Sequence, residues 1–289
     1  MKLKNILFSL IMLVSMFFIG TVSAETTAPD SFTVRFSDLH RLSGANYLPG
    51  GNLHFYYKVS TDGKVIYCMQ RKNDVVDGTE TYYLSEELDA KYAYVMENGY
   101  PNKSLTGNND EDYYITGLAI WYLINPSDSI FANFDIANGT YRGQSNTAVQ
   151  WINKLVSGAA SYSYTDPTLK LNAESNKLHL TEDGKYYRSD AITISASGTT
   201  GYYSIKPSNA PEGTTIVNKD GSKFTKGLTF YVQVPVKSIN QLSTEFSVVV
   251  SGSGTINKAY LYTPTHSRFQ TTATIYPETK YVNDSVKLN

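Results

Sequence analysis

Residues 52–72 read NLHFYYKVSTDGKVIYCMQRK. Two runs of alternating apolar and polar residues flank Ser60-Thr61-Asp62-Gly63, and that pattern predicts a β-hairpin. The second strand of the hairpin carries Cys68, the only cysteine of the 289-residue chain. A strand position, away from the loop tip, sets the question of what a lone thiol does there. Working outward, SFTVRF at 31–36 alternates in the same way, and PGG at 49–51 marks a turn. So few strands are not stable alone, so they must pair with strands later in the chain.

The N-terminus answers for the compartment. Lys2 and Lys4 precede the apolar run ILFSLIMLVSMFFIG, and Val22-Ser23-Ala24 supplies small residues, which is the pattern of a signal peptide over residues 1–24. The apolar run is short for a spanning helix. Export leaves about 265 residues, enough for two modest domains or one large one. Extracellular proteins pair their cysteines, and Cys68 has no partner in its own chain.

Composition points to β structure. Twenty-four tyrosines favour half-buried pleated surfaces, and 20 glycines supply turns between short strands. The net charge of -1 gives no basic footprint for nucleic acid or an anionic membrane.

Between residues 85 and 163 the period changes. LSEELDAKYAYVMENG predicts a helix opened at Ser85, with Leu88, Tyr92 and Val95 on one face and Asn98-Gly99 as its stop. NNDEDYYITGLAIWYLINP at 108–126 leads with acidic residues, sets Ile115, Leu118, Ala119 and Tyr122 on one side, and ends at Asn125-Pro126. SNTAVQWINKLVSGA at 145–159 predicts a third helix capped by Ser145 or Asn146. After residue 164 short strands and turns return, among them EDGK, KDGS and SGSG. The fold expected is therefore mainly β with inserted helices: an antiparallel β-sandwich or barrel from residues 25–84 and 164–289, plus a small all-α subdomain over 85–163.

Metal chemistry finds little footing. His40, His54, His179 and His266 lack ligand spacing, and Asn108–Asp112 lacks the spaced ligands and central glycine of a calcium loop. No metal or cofactor is expected. A cysteine hydrolase would need a histidine to activate the thiol, and no signature surrounds Cys68.

Three stretches taken together, IYCMQ, TGLAIW and RFQTTA, resemble the thioester domains of Gram-positive surface adhesins. There a strand cysteine follows an aromatic residue, here Tyr67-Cys68. A downstream helix carries T-Q-x-A-(I/V)-W, matched here by Thr116, Ala119 and Trp121, with Gly117 standing where the family has glutamine. A late strand presents a glutamine after an apolar residue, here Phe269-Gln270. The resemblance implies an internal thioester between Cys68 and Gln270, with Tyr67, Thr116, Gly117, Ala119, Trp121 and Phe269 supporting it. It implies a secreted or cell-surface adhesin that reacts once with an amine-bearing, lysine-containing extracellular host protein, without turnover. It also implies neighbouring strands for Cys68 and Gln270, 202 residues apart in sequence, and a helix face directed at the Cys68 strand. The other reading open to the residues is a noncovalent tyrosine-rich module for protein or glycan, with Cys68 inert.

Overall fold

A computed structural model describes residues 24–35, 40–43, 46–48, 53–71, 73, 79–241 and 245–289. The leader assigned to residues 1–24 lies, but for Ala24, outside them. The chain forms two compact units, one built from Thr26–Tyr164 with Asn257–Glu278, the other from Thr165–Ile256 with Thr279–Asn289.

In chain order the first strands are β1 (Ala24–Thr26), β2 (Ser31–Arg35), β3 (His40–Ser43), β4 (His54–Val59), β5 (Val65–Cys68) and β6 (Thr79–Glu87). Helices α1 (Ala90–Asn98), α2 (Asn109–Ile124) and α3 (Thr147–Ala159) follow, with two-residue strands β7 (Phe134–Asp135), β8 (Thr140–Tyr141) and β9 (Gln144–Ser145) between α2 and α3. The remaining strands are β10 (Thr168–Ala173), β11 (Leu178–Leu180), β12 (Tyr186–Ser189), β13 (Ile192–Ser197), β14 (Ser204–Ser208), β15 (Thr215–Val217), β16 (Thr229–Pro235), β17 (Phe246–Pro264) and β18 (Thr272–Leu288).

The sheet of the first unit runs β2-β6-β17-β18-β5-β4-β3 and is antiparallel, a half-barrel in form. The expected hairpin is β4 and β5, with Lys58 opposite Ile66 and Val59 opposite Val65. Its turn closes through Ser60 N to Lys64 O at 2.9 Å, and Gly63 takes the left-handed conformation at φ +81 that a side chain would resist. Early strands meet late ones: β6 pairs with β17, and Cys68 and Tyr67 of β5 lie opposite Thr272 and Ala273 of β18. The sheet buries both faces. Tyr67 and Ala273 join the helices in one cluster; Phe32, Val34, Ile66, Tyr82, Tyr262, Phe269 and Tyr276 form another.

The first helix begins later than the sequence suggests. Ser85 to Glu87 continue β6, with Glu86 opposite Leu261, and α1 starts at Ala90 behind Asp89. Sheet pairing outweighs the local helical signal there. In α2, Asn108 Oδ1 accepts from the amides of Asp110 and Glu111 at 3.0 and 3.2 Å, as an N-cap should. This helix is buried all round from Asp112 to Trp121 and packs against α1, α3 and β4, where a one-sided helix had been expected. The acidic run is partly structural. The Asp112 carboxylate accepts from Leu105 N, Thr106 N, Thr106 Oγ1 and Ser104 Oγ, at 2.8–3.2 Å, fixing the loop before the helix.

The second unit holds the strand order β10-β13-β16-β12-β11, with β15 on β16. Residues 247–251 of β17 pair with β14. Its core is Leu169, Ile192, Ile194, Phe230, Val232, Val234, Phe246, Val248, Val250, Val282 and Leu288.

Candidate functional site

Alternation along β5 gives its residues two different neighbourhoods. Tyr67 turns to the helices, where its ring stacks on Tyr113 at 4.8 Å and its hydroxyl donates to Tyr100 O at 2.6 Å. Ile66 lies on the other face, and Cys68, of the same parity, also reaches the helix-side cluster. Lys58 on β4 is the direct partner of Ile66, which makes it a diagonal neighbour of Cys68 on that face. Thr272 on β18 lies directly opposite Cys68.

Four polar side chains therefore converge inside the sheet. Cys68 Sγ donates to Gln270 Oε1 at 2.6 Å. Lys58 Nζ donates to the same Oε1 at 3.1 Å and is also hydrogen-bonded to Cys68 Sγ. Lys58 is 2% exposed, Cys68 7%, Gln270 6% and Thr272 fully buried, so the cluster is held in a low-dielectric setting. Thr272 Oγ1 has no hydrogen-bond partner among the described residues.

The backbone around Cys68 is pinned from the helical side. Trp121 Nε1 donates to Cys68 O at 2.7 Å, and the Tyr113 hydroxyl lies 3.0 Å from both Ile66 O and Tyr56 O. Burial first, and then the neighbouring Cys68, raise the Tyr113 phenol well above its ordinary range, so it stays a donor at any physiological pH. Met69 N donates to Thr271 O at 2.9 Å and carries the β5–β18 pairing past the site.

Gln270 itself precedes β18 by two residues, at the end of the β17–β18 connection, where a strand position had been expected. That connection is fixed by side chains from elsewhere. Gln70 Oε1 accepts from Thr271 N at 3.1 Å, and Asn73 Nδ2 donates to Phe269 O at 3.2 Å and to Gln70 Oε1 at 3.0 Å. Buried Glu80 accepts from His266 N at 2.8 Å and sits 2.9 Å from His266 Nδ1. Phe269, next to Gln270, is buried among Phe32, Tyr82 and Tyr262.

The remaining expected residues act at different ranges. Trp121 touches the Cys68 peptide directly. Ala119 is fully buried within α2. Thr116 donates to Asp112 O at 2.7 Å and accepts from Tyr100 N at 3.0 Å, so it joins α2 to the end of α1. Gly117 packs against Phe55. A Cβ there would stand 2.7 Å from Phe55 Cε1, and the Phe55 ring in turn packs on Trp121 at 4.5 Å between centroids. Lys58, Thr272, Gln70 and Asn73 were not legible as site residues. A lysine in the alternating run HFYYKV gives only the parity of its side chain, and the partner of that parity is decided by β18.

The thioester domain family model matches residues 65–161, from the Cys68 strand to the end of α3. The fold is similar to that of the Bacillus anthracis TIE protein, at 20% identity and a TM-score of 0.59 over 92% of this chain and 48% of that one. It is similar also to the thioester domain of the Enterococcus faecium TIE86 protein, at 18% identity and a TM-score of 0.57 over 92% of this chain and 99% of that one. The chain thus spans about half the length of the Bacillus anthracis protein. No curated protein matches it. Residues 65–161 match the thioester domain family in sequence, and the described chain has the thioester-domain fold.

Proposed function

We propose that the chain is an exported adhesin domain that attaches covalently to its ligand through a thioester between Cys68 and Gln270. The observation that carries this reading is the contact of Cys68 Sγ with Gln270 Oε1 at 2.6 Å across 202 residues of chain. Attack of the Cys68 sulfur on the Gln270 side-chain carbonyl, with the thiol proton passing to the departing nitrogen, expels ammonia and leaves the thioester. Holding nucleophile and carbonyl together in this way replaces a large part of the activation free energy. A thioester is a far better acyl donor than the amide it came from, so a primary amine of the ligand can attack it. That step leaves an amide on Gln270 and a free thiol on Cys68. The protein is consumed in the act, so the reaction is a single attachment and not turnover.

The surroundings fit such a store of reactivity. The low exposure of Cys68 and Gln270 keeps bulk water from the carbonyl. A cavity of about 280 Å3 opens beside the strand end, lined by Met69, Gln70, Trp121 and Phe131 among others. It is the approach we assign to the amine of a lysine-bearing extracellular protein of a host.

Intact mass tests the reading. Wild-type mature protein is expected one ammonia short of its sequence mass, with no titratable thiol, and methylamine is expected to add while releasing one. Cys68→Ala and Gln270→Ala should both keep full mass and refuse methylamine. Wild type of full mass with a free thiol, inert to methylamine, would leave a noncovalent binding module in its place.

A further inference from the structure

We infer that Lys58 is the catalytic acid–base group that closes the Cys68–Gln270 thioester. The inference rests on the thioester reading above and adds a third reacting side chain to it. Lys58 is all but fully buried, and its polar partners among the described residues are Cys68 Sγ and Gln270 Oε1, the two atoms between which the chemistry must pass. A buried lysine is costly unless paired, and neither partner here is a carboxylate. Its place is a matter of register. Lys58 is opposite Ile66, Cys68 is two residues on, and both point to the same face.

The uncatalysed step is hard for three reasons, and one amine so placed meets each. A carboxamide is a poor acyl donor, a neutral thiol is a poor nucleophile, and amide ion is a poor leaving group. Lys58 Nζ takes the Cys68 proton, giving thiolate and ammonium. Sγ then forms its bond to Gln270 Cδ, and the C=O electron pair moves onto Oε1, which the ammonium already holds at 3.1 Å. The tetrahedral adduct collapses as Lys58 returns the proton to Nε2. The C–N bond breaks, ammonia departs, and Lys58 is neutral again. Cys-SH and Gln-CONH2 have become thioester and ammonia, with no proton gained or lost. Thr272, directly opposite Cys68 with an unpartnered buried hydroxyl, offers a hydrogen-bonding group on the same face during that exchange.

The same placement explains why lysine and not arginine stands at 58. Arginine would hold the oxyanion but does not give up a proton. It would also set a charge beside the bond that cannot be discharged.

The reaction can be run in both directions with ammonia as the probe. Ammonia at alkaline pH opens the wild-type thioester to the carboxamide and thiol. Removing it by dialysis starts closure, followed by intact mass and thiol titration. Lys58→Met is expected to slow closure by about 10²-fold or more, the range of general acid–base catalysis. Below the ordinary thiol range its residual rate should climb about tenfold per pH unit, because hydroxide must then make the thiolate. Lys58→Arg should close no faster than Lys58→Met. Lys58→Gln, polar and of similar length, covers the case in which methionine disturbs folding, and circular dichroism of each variant establishes the fold. Closure of a folded Lys58→Met at the wild-type rate, with the thioester itself present, would overturn the role of Lys58 and leave the thioester reading standing. Wild type one ammonia short but with a free thiol, and a cross-linked peptide joining Lys58 to Gln270, would show Lys58 to be the acyl acceptor and overturn both. Wild type of full mass with no addition of methylamine would remove the thioester reading on which the inference rests.

Discussion

The two units treat buried polarity in opposite ways. In the second, the hydrophobic core is aliphatic and aromatic, and of its buried polar residues Ser189, Gln233 and Ser238, Ser189 is partnered twice: Oγ donates to Asp190 O at 2.8 Å and accepts from Val232 N at 3.0 Å. In the first, Lys58, Cys68, Gln270 and Thr272 are buried together, and among the described residues the Thr272 hydroxyl has no partner. Polar groups packed in low dielectric cost stability unless each is satisfied. The first unit therefore gives up some stability to keep these polar groups in contact.

The sharpest way to break this contrast is to damage the second core and ask whether the chemistry notices. Phe230 is fully buried there, and Phe230→Ala should cost about 3–5 kcal/mol. Thermal or urea unfolding measures the loss, and methylamine addition by protein still folded should be unchanged. Loss of addition in the folded variant would mean that the site depends on that core.

Next comes Gly117, where the family has glutamine. Because Phe55 fills the space a Cβ would need, Gly117→Gln should destabilise by about 1–3 kcal/mol. Adding Phe55→Ala should cost less than the sum of the two single changes, since the second relieves the clash made by the first. Additive urea midpoints would remove Phe55 as the residue that occupies the position.

Trp121→Phe probes the tie between helix and strand. It deletes the bond to Cys68 O while keeping an aromatic ring, at a cost of about 1 kcal/mol. The thioester, less firmly positioned, should hydrolyse faster in buffer, read as thiol released over time. An unchanged hydrolysis rate would make Trp121 a packing residue only.

The smallest effect belongs to a helix cap remote from the cluster. Asn146 Oδ1 accepts from Val149 N at 3.1 Å at the start of α3. Asn146→Ala should cost about 0.5–1 kcal/mol in a urea titration and leave methylamine addition at the wild-type rate.

Much of the fold could be read locally because its signals are local. The β4–β5 hairpin follows from its alternation and its turn. The helices at 109–124 and 147–159 follow from acidic or Asn-led starts, with Asn108 and Asn146 acting as caps. The start of the first helix was misread, because Ser85-Glu86-Glu87 is a good helix opening by propensity and the pairing of β6 with β17 decides otherwise. Within the site, Cys68, Gln270 and Trp121 were legible through family motifs, and each lies in or beside the cluster. Gly117 packs on Phe55, whose ring meets Trp121.

The sequence by itself determined the β-rich class, the helical stretches, the solitary thiol and the two motif residues that come into contact. Those depend on composition, short-range period and motif, which are written in neighbouring residues. Only the tertiary structure decided that a lysine 10 residues from Cys68 and 212 from Gln270 would touch both. Nothing local marks Lys58, since any strand lysine of that parity looks the same. Its meaning comes from the register of β4 on β5 and of β5 on β18, set by burial of both sheet faces, and a slip of one residue would turn it away from the site.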